Sequence, residues 1–164
     1  MSLYQVGTIA VIYNIGAILG GITCGVLSER FGRRRVIAIA ALGSLVVLPL
    51  WVGATNLAWL ALGAFAMQFM VQGAWGVIPA HLNELSPDEA RATFPGFVYQ
   101  LGNLLASVNA TLQAAVAAQR GGDYAFSLGM VAGVVAIAIA LLSWFGVEAK
   151  GVVFGRAVAA PGHA

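Results

Sequence analysis

Charged side chains are scarce in this sequence. Asp, Glu, Lys and Arg make up 9% of the 164 residues, whereas about a quarter of the residues of an ordinary soluble domain are charged. Hydrophobic residues make up 60% of the chain. This composition excludes an ordinary soluble domain and predicts a membrane protein.

Cysteine and the common catalytic motifs are also nearly absent. Cys24 is the single cysteine, so no disulfide can form within the chain. The sequence contains no phosphate-binding P-loop, no HExxH helix and no GxSxG elbow, which argues against ATP-driven transport and the commonest hydrolases. We therefore predict that the chain is not an enzyme and has no catalytic residues, cofactor or metal site.

Long apolar runs fill most of the chain. They cover about residues 4–28, 36–55, 57–80, 95–118 and 124–147, and each is close to the ~20 helical residues that cross a bilayer. The sequence predicts an all-α membrane protein with five transmembrane helices in one unit, residues 1–150. The last residues, 151–164, are predicted to be a disordered tail.

Basic residues are distributed unequally between the two sides of these spans. Alternating the loops leaves only Arg120 on one side and puts the others together: Arg30, Arg33, Arg34, Arg35, Arg91, Lys150 and Arg156. Because basic loops stay in the cytoplasm, we predict a multi-pass protein of the cell membrane. The charged loops and the C-terminus are predicted to be cytoplasmic.

A dense charged segment, GVLSERFGRRRV, separates the first two spans. Its glycines permit a tight turn and close helix contact, and its arginines can pair with carboxylates. A basic loop that only sets membrane orientation is the alternative interpretation. The segment's candidate gate residues are Gly25, Glu29, Arg30, Gly32, Arg33 and Arg34.

This segment resembles the loop signature of the major facilitator superfamily, with Glu29 where the usual form has aspartate. A later loop, HLNELSPDEAR, carries Glu84 and Arg91 and resembles the acid and arginine pair that sugar-porter relatives place on their cytoplasmic face. These two residues complete the candidate gate, in which Glu29, Arg33 and Arg34 are expected to pair with groups such as Glu84 when the inner mouth is closed. A capped surface helix with solvated charges is the alternative. The resemblance implies a twelve-helix fold in which the five spans are the last five. It also implies a fragment whose partners are the missing N-terminal helices, the lipid bilayer and a small organic solute, with no nucleic acid.

Two further local patterns carry structural predictions. Ser86, Pro87 and Glu89 read as a capping box that starts a short helix before Pro95. Small residues four positions apart predict close helix contacts, and they include the pairs Gly16 with Gly20, Gly21 with Gly25, and Gly129 with Gly133.

Polar side chains inside the spans are candidates for substrate contact, because transporter sites lie near the bilayer midplane. In the fourth span one polar stripe consists of Gln100, Asn103, Ser107 and Thr111. The other candidates are Gln68, Gln72 and Trp75 in the third span and Asn14 in the first. The alternative is that these amides bond to neighbouring helices.

The stretches QGAWGVIPAHLNELSP and GFVYQLGNLLAS are similar to carboxylate and sialate proton symporters of the same superfamily. The resemblance implies a secondary transporter of a monocarboxylate or sugar acid that uses proton symport and alternating access. A non-transporting assembly or regulatory module, or the remnant of a degraded transporter gene, is the alternative. No span contains an acidic residue, so His81 at the end of the third span is either an interfacial residue or a proton relay.

Overall fold

A computed structural model describes residues 1–148 as helices joined by short connections. The α-helices are α1 (Leu3–Phe31), α2 (Arg33–Val52), α3 (Leu57–Leu85), α4 (Phe94–Ala106), α5 (Asn109–Gln119) and α6 (Tyr124–Phe145). A single 3-10 turn, Asp88–Ala90, lies between α3 and α4. The predicted tail, and with it Lys150 and Arg156, lies outside the described residues.

The described part of the chain contains five helical segments long and apolar enough to cross a membrane. They are α1, α2, α3, α6 and the combined segment of α4 and α5, so the predicted five-span, all-α fold is confirmed. The predicted boundaries are too short at the charged ends. The first helix continues past residue 28 to Phe31, and the third continues past residue 80 to Leu85.

Side-chain caps fix where three of these helices begin. Ser2 and Gln5 form a reciprocal capping box at the start of α1. The Asn56 side chain accepts the Trp59 N–H at 3.0 Å, and the Asp123 side chain accepts the Phe126 N–H at 2.9 Å. Each cap satisfies an N–H group that the first turn of a helix leaves without an intrahelical partner.

The fourth span is interrupted, which the sequence analysis did not anticipate. The Ser107 hydroxyl donates to the Leu104 carbonyl at 2.7 Å, and a turn at residues 107–108 separates α4 from α5. A serine hydroxyl bonded to a preceding carbonyl competes with the backbone ladder. The residues of the predicted stripe are therefore divided between elements: Gln100 and Asn103 lie on α4, Ser107 in the turn and Thr111 on α5.

The capping box predicted at Ser86 is also wrong. The Ser86 hydroxyl donates to the Leu82 carbonyl at 2.6 Å and so terminates α3. Pro87 precedes the 3-10 turn, and no side chain caps that turn. With its hydroxyl bonded at the end of one helix, Ser86 does not start another.

Glycine allows α1 and α3 to pack backbone against backbone. A Cβ atom at Gly16 would collide with the Phe65 carbonyl oxygen, and one at Gly20 with the Phe69 carbonyl oxygen. One turn further, a Cβ at Gly73 would lie 2.6 Å from the Cys24 Sγ. In lipid, where apolar burial does not drive helix association, such close packing holds helices together.

The other predicted small-residue contacts differ from this one. Positions 129 and 133 meet the side chains of Val52 and Leu48 at ordinary van der Waals distances. Among the described residues, no atom lies within 4 Å of a Cβ built at Gly25, so the close approach predicted there is wrong for this part of the chain.

The bundle is ordered α1, α3, α2, α6, with α4 at the edge of α3 and α5 against α6.

We expect Gly20→Ala to lower the stability of the helix bundle, because the added methyl must push α1 away from the backbone of α3. Overpacking of this kind costs about 1 to 3 kcal/mol. Gly7→Ala in the same helix is the matched control, since its Cβ would meet nothing within 4 Å among the described residues. Thermal unfolding in detergent measures both. Equal midpoints for the two variants would contradict the proposed close contact.

Candidate functional site

Charged residues of four helix ends meet at one end of the bundle, which we call the charged end. It comprises the end of α1, the start of α2, the end of α3 and the residues that follow α6. Gly32 is the single residue between α1 and α2 and has a φ of 99°, a conformation that glycine adopts without strain. This short connection brings the end of α1 against the first residues of α2.

Arg33, the first residue of α2, is the centre of the charged end. Its Nε donates to the Glu84 Oε1 and Oε2 at 3.1 and 3.2 Å, and its Nη2 donates to the Glu84 Oε1 at 2.9 Å. The same Nη2 donates to the Glu29 Oε1 at 2.8 Å. Its Nη1 donates to the Ser28 hydroxyl at 2.6 Å. One guanidinium thus ties α2 to α1 and α3.

The two principal partners in this cluster are shielded from solvent. The side chains of Arg33 and Glu84 are 12% and 9% exposed, whereas that of Glu29 is 70% exposed. Charge-assisted, forked arginine–carboxylate bonds of this kind are among the strongest in proteins. Removing one partner of a buried pair leaves an uncompensated charge, which costs about 3 to 5 kcal/mol. Loss of either partner is therefore expected to be strongly destabilising, and the intact pair fixes which side chains of the three helix ends meet.

Glu148 is a member of the charged end that the sequence analysis missed. Its carboxylate accepts the Arg33 backbone N–H at 3.0 Å and lies 3.8 Å from the Arg34 Nε. Arg34 in turn donates to the Trp144 and Gly146 carbonyls at 3.0 and 2.8 Å. These contacts join the end of α6 to the start of α2. The sequence signal for Glu148 is that it is an isolated acid just beyond the last apolar helix. More than a hundred residues separate it from Arg33, so the sequence alone did not pair the two.

The remaining predicted gate residues lie around this cluster. Arg91 donates to the Ser86 carbonyl at 3.2 Å and pairs with Asp88, and it lines a polar niche that Arg33 and Glu84 also border. Arg30 lines a second recess together with Arg34, Arg35 and Glu148. The Gly25 carbonyl accepts the Ser28 hydroxyl at 2.7 Å.

Gln100 and Asn103, two of the predicted substrate residues, lie together on an exposed face of α4. The Asn103 Nδ2 donates to the Gln100 Oε1 at 3.2 Å. No residue of α4 is buried within the described part of the chain. The only ring contact that the structure gives between α3 and α4 is an edge-to-face pair of Trp75 and Tyr99, with centroids 5.8 Å apart. The amide pair is therefore formed locally and is accessible.

The other predicted substrate residues do not share one environment. Gln68 is buried at 9% exposure, Gln72 is half-buried and Trp75 is 47% exposed. The spacing that predicted a single open face in α3 thus overlooked the neighbouring helices that cover part of it. Asn14 is exposed on α1, and its amide donates to the Ala10 carbonyl of the same helix at 2.7 Å. The structure does not bring Asn14 into contact with the amide pair of α4.

An apolar cavity of about 230 Å³ lies between α2, α3 and α6. Among the predicted substrate residues only Trp75 lines it. The one hydroxyl on its wall, that of Ser44, donates to the Ala41 carbonyl at 2.7 Å. Apart from the Trp75 indole N–H and the Ser44 hydroxyl, the cavity lining offers a polar solute no side-chain hydrogen-bonding group, and the amide pair on α4 remains the better candidate for solute contact.

Three curated proteins illustrate what the chain is similar to. A carboxylic acid transporter protein homolog of Saccharomyces cerevisiae is 41% identical over 71% of this chain and 19% of its own length. A glucose transporter of Staphylococcus epidermidis is 33% identical over 48% of the chain and 18% of its own length. A gallate transporter of Pseudomonas putida is 31% identical over 71% of the chain and 26% of its own length.

The chain spans about a fifth of the length of the first two of these relatives. The relatives are transporters and not enzymes, which confirms the prediction that the chain is not an enzyme. A sequence profile described as the Major Facilitator Superfamily matches residues 1–160. With five membrane-length helices in the described residues and a profile match over nearly its whole length, this multi-pass membrane chain belongs to the major facilitator superfamily.

Proposed function

We propose that this chain is the C-terminal part of a secondary transporter that moves a small organic carboxylate by proton symport and alternating access. A monocarboxylate or a sugar acid is the substrate class. The observation that carries the proposal is the amide pair of Gln100 and Asn103, exposed on a membrane-crossing helix whose neighbours are braced by the charged end. The complete protein would supply further helices around the same solute pathway.

The amide pair has the hydrogen-bonding groups that a hydroxylated carboxylate needs. Because the Gln100 Oε1 accepts from Asn103, the Gln100 amide nitrogen is oriented away from Asn103 with two N–H donors to offer. Donors suit a carboxylate, and the Asn103 carbonyl oxygen suits a hydroxyl. Two of the relatives described above are named for carboxylic acids and gallate, which supports this substrate class.

Charge balance favours cotransport of a proton. The membrane-crossing segments contain no basic residue near the amide pair in sequence, so an anion would enter without a cationic partner from this chain. Moving an unpaired charge through a low-dielectric region is costly. A carboxylate that moves together with one proton carries no net charge, and this lowers the cost.

The charged end acts as a brace on the cytoplasmic side in this proposal. Arg33 holds α1, α2 and α3 together, while the exposed Glu29 carboxylate is available to groups of the other half. Rocking of the two halves would make and break such outer contacts and leave the buried pair intact. The cytoplasmic placement follows from the excess of arginine on this side.

Uptake by the full-length protein tests the function directly. Cells that express it should accumulate a labelled monocarboxylate or sugar acid, and a protonophore should abolish the accumulation because it removes the driving gradient. A neutral sugar of the same size is the matched competitor and should inhibit weakly. Accumulation of the neutral sugar alone, or of the acid with no effect of the protonophore, would contradict the proposal.

We expect Gln100→Ala to raise the apparent KM for the carboxylate by about tenfold or more, because a hydrogen bond to a charged group contributes about 1.5 to 3 kcal/mol. Asn103→Ala should raise it by a smaller factor, because a bond to a neutral hydroxyl contributes about 0.5 to 1.5 kcal/mol. Surface abundance should not change, since both side chains are exposed. Gln113→Ala is the matched control, because Gln113 makes a similar local amide pair with Asn109 in the same span. Unchanged uptake kinetics in both test variants would remove these residues from the substrate site.

Reversal of the buried ion pair tests the brace. Arg33→Glu and Glu84→Arg should each lower the transport rate by about tenfold or more, because each leaves two like charges in a shielded site. The double variant should recover part of the loss and not all of it, since Glu29 would then face a second carboxylate at position 33. Glu89→Arg, at an exposed position of the same end, is the control. Strict additivity of the two single effects would count against the brace.

A further inference from the structure

His81 lies beside the charged end, and the contacts described so far leave it without a role. It precedes Glu84 by three positions on α3, which places the two side chains on neighbouring positions of one helix face. The charged groups that act on its ring are Glu148 after α6, Glu84 on its own helix and Arg33 on α2. From α1, Ser28 and Glu29 complete the cluster by bonding to Arg33.

The His81 ring has one nitrogen that the surrounding protein does not satisfy. Its Nδ1 is buried, and no hydrogen-bond partner for it is found among the described residues. A neutral imidazole can keep such a nitrogen as an unprotonated acceptor, whereas an imidazolium carries a proton on both ring nitrogens. An unpartnered donor on a buried cation is unfavourable. Protonation of His81 therefore requires one of the nearby carboxylates to move towards it.

Glu148 is the carboxylate that can move with the smaller loss of contacts. Glu84 accepts three short bonds from Arg33 in a shielded site. Glu148, by contrast, accepts one backbone N–H at 3.0 Å and lies 3.8 Å from Arg34 at 30% exposure. If Glu148 turned to His81, its own link to the start of α2 would be lost, and the two Arg34 bonds to the Trp144 and Gly146 carbonyls would be left to hold the end of α6.

Water has a route to the cluster. A polar niche of about 430 Å³, lined by residues that include Arg33, Asn83 and Glu84, opens beside it. A proton from the aqueous phase at the charged end can thus reach Glu84 and Arg33, which act on the His81 ring, and its transfer to the ring forms the new N–H bond. Imidazole titrates in the range that a cell's proton gradient covers.

We propose that His81 is a proton-binding site of this transporter, and that its protonation withdraws Glu148 from α2, which weakens the attachment of the end of α6 and favours its release. The inference rests on the proposed proton symport and names the group within this chain that would respond to the proton. It assigns the response to the charged end and not to the amide pair, so substrate binding and proton binding occupy different places in the chain.

A fluorescence measurement on the full-length protein tests this without any substrate. Arg35→Cys is labelled with bimane, after Cys24 and any other native cysteine are replaced by alanine. Positions 34 and 35 line the same recess as Trp144, and tryptophan quenches bimane only at short range. Docked α6 therefore gives low fluorescence, and release of its end gives high fluorescence. Trp144→Phe, which removes the quencher, sets the upper limit.

Lowering the pH from about 8 to about 5.5 should raise the fluorescence by about twofold, because protonation of His81 draws Glu148 away from the start of α2. In His81→Gln the signal should stay low at both pH values. In His81→Lys, which keeps a positive charge, and in Glu148→Gln, which loses the link to α2, it should stay high at both. His163→Gln, which removes the other histidine of the sequence, should behave like the unmodified protein.

A rise that persists in His81→Gln, or an absence of any rise in the unmodified protein, would overturn the assignment of His81. Uptake measurements on the same samples separate this result from the transport proposal. A His81-dependent fluorescence response without carboxylate uptake would retain the proton site and reject the proposed substrate. Proton-driven carboxylate uptake without that response would retain the proposed substrate and reject the proton site at His81.

Discussion

A guanidinium that is shielded from water must find protein acceptors for its N–H groups, and this requirement determines the arrangement of the charged end. Arg33 meets it with Glu84, Glu29 and Ser28, which lie on two other helices. Apolar burial does little to associate helices in lipid, so polar contacts of this kind matter more here than in a soluble protein. The backbone contact at Gly16 and Gly20 joins α1 to α3, which are two of the three helices that Arg33 connects.

The fold follows from the sequence to the extent that hydropathy determines it. Five apolar runs predict five spans because an exposed backbone or charge is excluded from the bilayer core. Hydropathy does not locate helix ends, since hydrogen bonds of polar side chains extend α1 and α3 into their charged connections. It also cannot detect the break at Ser107, where one hydroxyl bonded to Leu104 interrupts an otherwise apolar run.

The candidate site was predictable where its members lie close together in sequence and where the two charged loops carry opposite charges, since the structure pairs Arg33 with Glu84 as expected. Gln100 and Asn103 are one helical turn apart, and the structure pairs them. Glu148 lies more than a hundred residues from Arg33, and only the fold brings the two together. Gln68, Gln72 and Trp75 have the correct spacing for one face, but spacing carries no information on which neighbouring helix covers that face. Local chemistry is thus readable from the chain, whereas a long-range contact is predictable only where a recognisable motif marks both partners, as in Arg33 and Glu84.

The tight connection at Gly32, between α1 and α2, limits which mutations of its codon the fold can accept. Its φ of 99° disfavours any other residue, and a Cβ there would lie 2.5 Å from the Glu148 Oε2. Every single-base change of a glycine codon that alters the amino acid either adds a Cβ or ends translation. No one-step nucleotide route therefore leads from Gly32 to another residue without a Cβ, and a lineage that loses the glycine must hold an L side chain in this backbone conformation and turn the Glu148 carboxylate aside.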